Sequence, residues 1–127
     1  MPQSMSYQRL EVYQRAHRIA VALHAFSLKL PAYELYESGS QLRRASKSIS
    51  ANIVEGYGRR RYKADFIRFL TYAHASWDEA MEWVRYVQDC HKNLGPAAAS
   101  FTTDLDELGR MLNRFLQSVK RRHRSEP

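Results

Sequence analysis

Between Phe101 and Val119 the apolar residues Phe101, Leu105, Leu108, Leu112, Phe115 and Val119 recur at steps of 4, 3, 4, 3 and 4. This spacing keeps one stripe of an α-helix facing a partner and cannot be satisfied by a strand, whose side chains alternate with period two. The same signature occurs three more times. Val12, Ala16, Ile19, Ala20, Leu23 and Phe26 mark a first segment from Leu10 to Leu30, stopped by Pro31. A second carries Leu42, Ala45, Ile49, Ile53 and Gly56, with Gly56 and Gly58 placed to close the helix in the left-handed conformation. A third, from about Lys63 to His91, has Phe66, Leu70, Ala73, Trp77, Ala80, Met81, Val84 and Val87, and Gly95-Pro96 punctuates its end. This third segment reads as the longest helix. The four stripes pack most simply as an all-α, antiparallel up-down-up-down four-helix bundle. Residues 1–127 read as one domain with a short basic C-terminal tail, and 127 residues suffice for one core.

Polar residues interrupt the second stripe. On a helix of 100° per residue Asn52 falls inside the apolar arc, with Ser48 and Glu55 at its margin. Two readings follow: a register-fixing strut whose amide is satisfied by Ser48, Glu55 and Ser76 of the third helix, which is the favoured one, or a ligand or catalytic site. Small residues at Ala45, Ser46, Ser48, Ala51 and Gly56 let a neighbouring helix approach closely. The third helix carries a second stripe, Phe69, Tyr72, Ser76, Glu79, Trp83 and Tyr86, displaced from its core stripe. Rings continuing around a helix suit an oligomer interface, although Phe69 and Trp83 flanking the core is the alternative.

Charge narrows the class of partner. Twenty Lys+Arg against thirteen Asp+Glu give a formal net charge of +7, which draws the chain to polyanions. The excess is uneven. Arg43, Arg44, Lys47, Arg59, Arg60, Arg61 and Lys63 form the candidate nucleic-acid-binding set, and Lys120, Arg121, Arg122, His123 and Arg124 make a second basic block. Tyr57 and Tyr62 flank the three arginines; helix-end packing is the favoured reading for them, and stacking on unpaired bases is the alternative.

The familiar chemistries find no pattern. No Glu is followed three residues later by His, the five histidines lack zinc-ligand spacing, and Cys90-His91 has no second pair, so no metal or other cofactor is expected. The stretch Glu55-Gly-Tyr-Gly58 is not a dinucleotide loop, no P-loop is present, and no nucleophile can be matched to a base, so no enzyme activity is expected. One cysteine, an N-terminus without a basic and apolar leader pattern, and no run of about 20 apolar residues give a cytoplasmic expectation with no membrane partner.

The ordered series Leu10-Glu-Val-Tyr-Gln-Arg-Ala16, Gln41-Leu-Arg-Arg-Ala45, Ser48-Ile49, Asn52-Ile-Val-Glu-Gly56, Phe66-Ile-Arg-Phe-Leu70 and Ala73 to Glu79 resembles the 23S rRNA intervening-sequence proteins of bacteria. That group includes the accessory variability proteins of diversity-generating retroelements. The likeness spans roughly Tyr7 to Val119, the last helix matching only in pattern; it departs at Ala75, Ala80 and Trp83. The resemblance implies an antiparallel bundle assembled as a homopentamer, basic surfaces for RNA or DNA, no catalytic residues, and a possible reverse transcriptase partner. Two functions from different classes follow: a non-enzymatic oligomeric nucleic-acid-binding protein, and an oligomeric assembly module that docks an acidic protein.

Overall fold

The computed structural model describes residues 6–125. The stretch Met1 to Met5, read above for a leader, lies outside the described residues. The described residues fold into four α-helices: α1 (Glu11–Ser27), α2 (Ser38–Gly58), α3 (Lys63–Cys90) and α4 (Gly95–Arg122). Among the described residues there is no strand.

Direction follows from which residues meet. Phe26 packs on Phe101 while Arg15 pairs with Glu107, so α1 and α4 run opposite ways. Ser48 meets Ser76 while Gly56 abuts Phe66 and Phe69, which sets α2 against α3. Trp77 reaches Leu105 and Phe66 reaches Phe115, which sets α3 against α4. Each helix thus touches the next and α4 returns to α1, which makes an up-down-up-down bundle. The apolar stripes meet in one core, with Leu23, Leu42, Ile49, Ile53, Leu70, Val84, Val87, Leu105, Leu108 and Leu112 sealed at its centre.

Three readings of the sequence change. No described glycine has positive φ, and α2 runs through Gly58 to a cap at Arg59. Gly56 is there for proximity: a Cβ on it would stand 3.2 Å from Phe69 Cβ and 3.3 Å from the Phe66 carbonyl. Gly95-Pro96 opens α4 rather than closing α3, since proline fits a first helical turn, where its missing N–H has no intrahelical partner. At 28 residues each, α3 and α4 are equal in length. Gly109, in the middle of α4, was not singled out by its sequence context. A Cβ there would come within 2.4 Å of the Trp77 ring, whose Nε1–H donates to the Leu105 carbonyl at 2.6 Å.

Asn52 is the expected strut. Its amide donates to the Ser48 carbonyl at 2.9 Å and to Ser48 Oγ at 3.0 Å, and Ser76 Oγ on α3 lies 2.8 Å from Ser48 Oγ. Glu55 takes no part in this chain. It is exposed and accepts from Arg59 instead.

Candidate nucleic-acid interface

The antiparallel order gathers the end of α2, the start of α3, the end of α4 and the start of α1 at one end of the bundle. Helical structure in α4 runs past the last apolar position, Val119, and carries Lys120, Arg121 and Arg122 to this end. The tail is tied to the α2–α3 turn by three bonds. Lys63 Nζ donates to the Lys120 carbonyl at 2.6 Å, satisfying one of the acceptors that a helix C-terminus leaves open. The Lys63 backbone N–H donates to Ser125 Oγ at 2.9 Å. His123 Nε2 lies 2.6 Å from the Arg60 carbonyl, and since a carbonyl only accepts, that nitrogen carries the proton.

Stretches 55–68 and 114–125 hold ten Lys+Arg against two Asp+Glu, which leaves ten against eleven in the rest of the chain. The whole positive excess therefore belongs to this end, and the remainder is close to neutral. Within it, Arg59 is exposed, pairs with Glu55 at 2.7 Å and with Asp65 at 3.6 Å, and lies over the Phe69 ring at 5.0 Å. The hydrogen bond to Glu55, helped by the charges of Glu55 and Asp65, raises the Arg59 guanidinium above its already high value. Arg60 is half-buried, donates to the Tyr57 carbonyl at 2.9 Å and covers the Tyr57 ring at 4.1 Å. Arg61, Tyr62 and Arg124 are exposed. Tyr57 is thus capped by an arginine, and Tyr62 is the open ring of the pair.

The other predicted residues stand apart. Arg43 is turned inward, donating to Ser27 Oγ and to the Leu35 carbonyl, each at 2.8 Å. It fastens α2 to the α1–α2 connection, and so departs from the expected basic set because both ends of its guanidinium fork are already engaged. Arg44 and Lys47 are exposed. At 1.5 Å rise per residue, Arg44 sits roughly 22 Å along α2 from Arg59. The seven residues therefore do not form one surface: Arg59, Arg60, Arg61 and Lys63 gather with the tail, and Arg43, Arg44 and Lys47 lie elsewhere on α2.

The opposite end holds its charges differently. Glu34, in the α1–α2 connection, accepts from His91 Nε2, in the α3–α4 connection, at 2.7 Å, and both side chains are buried. The His91 hydrogen bond, with Ser38 adding to it, holds the Glu34 carboxyl below the ordinary carboxylate range although burial pushes the other way. Among the described residues no three His, Cys, Asp or Glu side chains gather to hold a metal ion, and no helix is long and apolar enough to cross a membrane.

A family model described as "23S rRNA-intervening sequence protein" matches residues 8–114. The chain belongs to this family. The 23S rRNA-intervening sequence match ends before the basic tail, so the residues that complete the charged end lie beyond it. The fold is also that of a crystal structure of a protein with unknown function from the S23 ribosomal protein family of Bacteroides thetaiotaomicron, at 22% identity and a TM-score of 0.75. That likeness covers 84% of this chain and 95% of the other. No curated protein matches the chain. Reading the sequence missed the tail's role in building the charged end, because the Lys63–Lys120 and Arg60–His123 bonds join residues 57 and 63 positions apart.

Proposed function

We propose that this 23S rRNA-intervening sequence family member is a non-enzymatic, oligomeric nucleic-acid-binding protein that uses one basic end for largely sequence-independent phosphate contacts. The observation that carries this reading is the segregation of charge, since the entire net positive charge resides at one end and the rest of the chain balances. A surface of Arg and Lys without a groove-reading helix neutralises phosphates and releases their counterions, with little base readout. Oligomer formation is supported by the outer stripe of α3, where Tyr72 and Tyr86 stand 48% and 49% exposed beside the half-buried Phe69 and Trp83. The family resemblance favours a pentamer. A ring would repeat the basic end and raise avidity for a long polyanion without any new contact.

The test is fluorescence anisotropy with RNA and DNA oligonucleotides of two unrelated sequences over a salt series, with sedimentation equilibrium of the same protein. Similar affinities for both sequences, log K falling linearly with log salt, and an oligomer mass are the expected results. Absence of salt-sensitive binding to any oligonucleotide would overturn the reading and turn attention to an acidic protein partner, such as a reverse transcriptase, docking on the same end.

A further inference from the structure

The basic end is more than a charged surface. Between the start of α1, the end of α2, the start of α3 and the end of α4 lies an open hollow of about 410 Å³. Its floor is aromatic. Phe66, only 3% exposed, meets Tyr57, Phe115 and His123 edge-on, with ring centroids 6.2, 5.9 and 5.1 Å away. Arg60 and Arg122 line the hollow beside these rings, and no lining residue is acidic.

This combination selects a guest. Aromatic boxes often hold cations over their ring faces, but here Arg60 already covers the Tyr57 ring, and with Arg122 it repels a second cation. The fitting occupant is a flat ring attached to a negative charge: Arg60 covers Tyr57 and Phe66 is buried, so the half-buried rings of Phe115 and His123 meet the base, and the arginines donate to its phosphate. The other hollows lack the pairing. One between α1 and α4 mixes Glu11 and Glu107 with its arginines, and one between α1 and α2 is lined by His17, Val21, His24 and Lys47 without a cluster of aromatic rings.

We infer that this hollow takes one unpaired nucleobase, so that the protein prefers single strands to duplexes of the same sequence. The inference rests on the nucleic-acid reading above and adds to it a strand preference that phosphate contacts alone do not supply. In a duplex the base is stacked and paired, and would first have to be extruded at a cost in free energy.

Filling the hollow without touching a charge isolates the effect. Ser118, half-buried on α4, lines it, and Ser118→Phe would occupy the space, with the smaller Ser118→Leu alongside in case the larger ring prevents folding. The probe is a single-stranded oligonucleotide carrying 2-aminopurine, compared with its duplex. The parent should bind the single strand about tenfold tighter than the duplex, with a change in 2-aminopurine fluorescence. Either folded variant should lose most of that preference and the fluorescence change, while duplex affinity and salt slope stay put. Equal parent affinities for strand and duplex, or a preference that survives filling, would overturn this inference while leaving phosphate binding intact. Absence of binding to either oligonucleotide would overturn both. A changed sedimentation mass in the folded variants would make the hollow a contact between copies and overturn the base site.

Discussion

The two ends of the bundle handle charge in opposite ways. At the end formed by the α1–α2 and α3–α4 connections, Glu34 and His91 are buried against each other, and Arg43 sends its guanidinium into Ser27 and the Leu35 carbonyl. At the other end, the α2–α3 turn and the last turn of α4 hold Arg59, Arg60, Arg61, Arg121, Arg122 and Arg124 together with only Glu55 and Asp65 in the same stretches. Composition alone would rate the arginine at position 43 and the exposed one at position 124 alike. What separates them is whether the guanidinium fork meets an internal acceptor or solvent. Charge at the first end holds connections together, and charge at the second is mostly exposed.

The comparison breaks first at His91. His91→Ala leaves the Glu34 carboxylate buried without its main partner and should cost about 3 kcal/mol, read as a lowered denaturant midpoint. Stability near the parent's would mean the closed end is not held by its charges. The pair also predicts a pH dependence. Because the Glu34 carboxyl is held low in the folded state, its contribution is complete above the unfolded value of about 4.3, and it is lost as pH falls through the lower folded value. Glu34→Gln removes the titrating group, so its stability should fall less steeply than the parent's over that acid window. Denaturant midpoints from pH 7 down to the acid limb, for both proteins, check this.

Arg43 gives a smaller effect and a sharper contrast. Arg43→Met removes two hydrogen bonds from a charged donor and should cost roughly 1.5–3 kcal/mol while leaving nucleic-acid affinity close to the parent's. Anisotropy and urea melts on one preparation measure both. A large loss of affinity in a stably folded Arg43→Met would return this residue to the binding surface and dissolve the distinction between the ends.

The bundle was legible because each helix repeats its apolar residues at steps of three and four, and those stripes became the core with few exceptions. Asn52 was legible for the same geometric reason: a polar residue inside an apolar arc needs partners, and Ser48 supplies them, itself bonded to Ser76. Single residues with two meanings were harder. Gly56 near a helix end reads as a left-handed cap, yet it serves a close approach to Phe66 and Phe69. Gly95-Pro96 reads as a stop and acts as a start, because proline ends one helix and opens another by the same lack of an N–H. The Glu34–His91 pair was invisible, since its members are 57 residues apart in two connections with no periodicity. Half of the candidate site was legible as the arginine run after α2. Its other half, the tail, was noted as a basic block but could be joined to that run only once the antiparallel order set them at one end.

The central claim is that placement of charge, rather than its total, makes the binding surface. Two variants lower the net charge by the same amount: Arg59→Gln, Arg60→Gln and Arg61→Gln at the basic end, and Lys29→Gln, Arg44→Gln and Lys92→Gln, all exposed and remote from it. The slope of log K against log salt, measured for the parent and both variants on one oligonucleotide, separates placement from total. Each lost phosphate contact flattens the slope by roughly 0.7–0.9, so the loop variant should lose about 2 from it and bind more weakly, while the remote variant keeps the parent's slope. Equal slopes for the two variants would contradict the account.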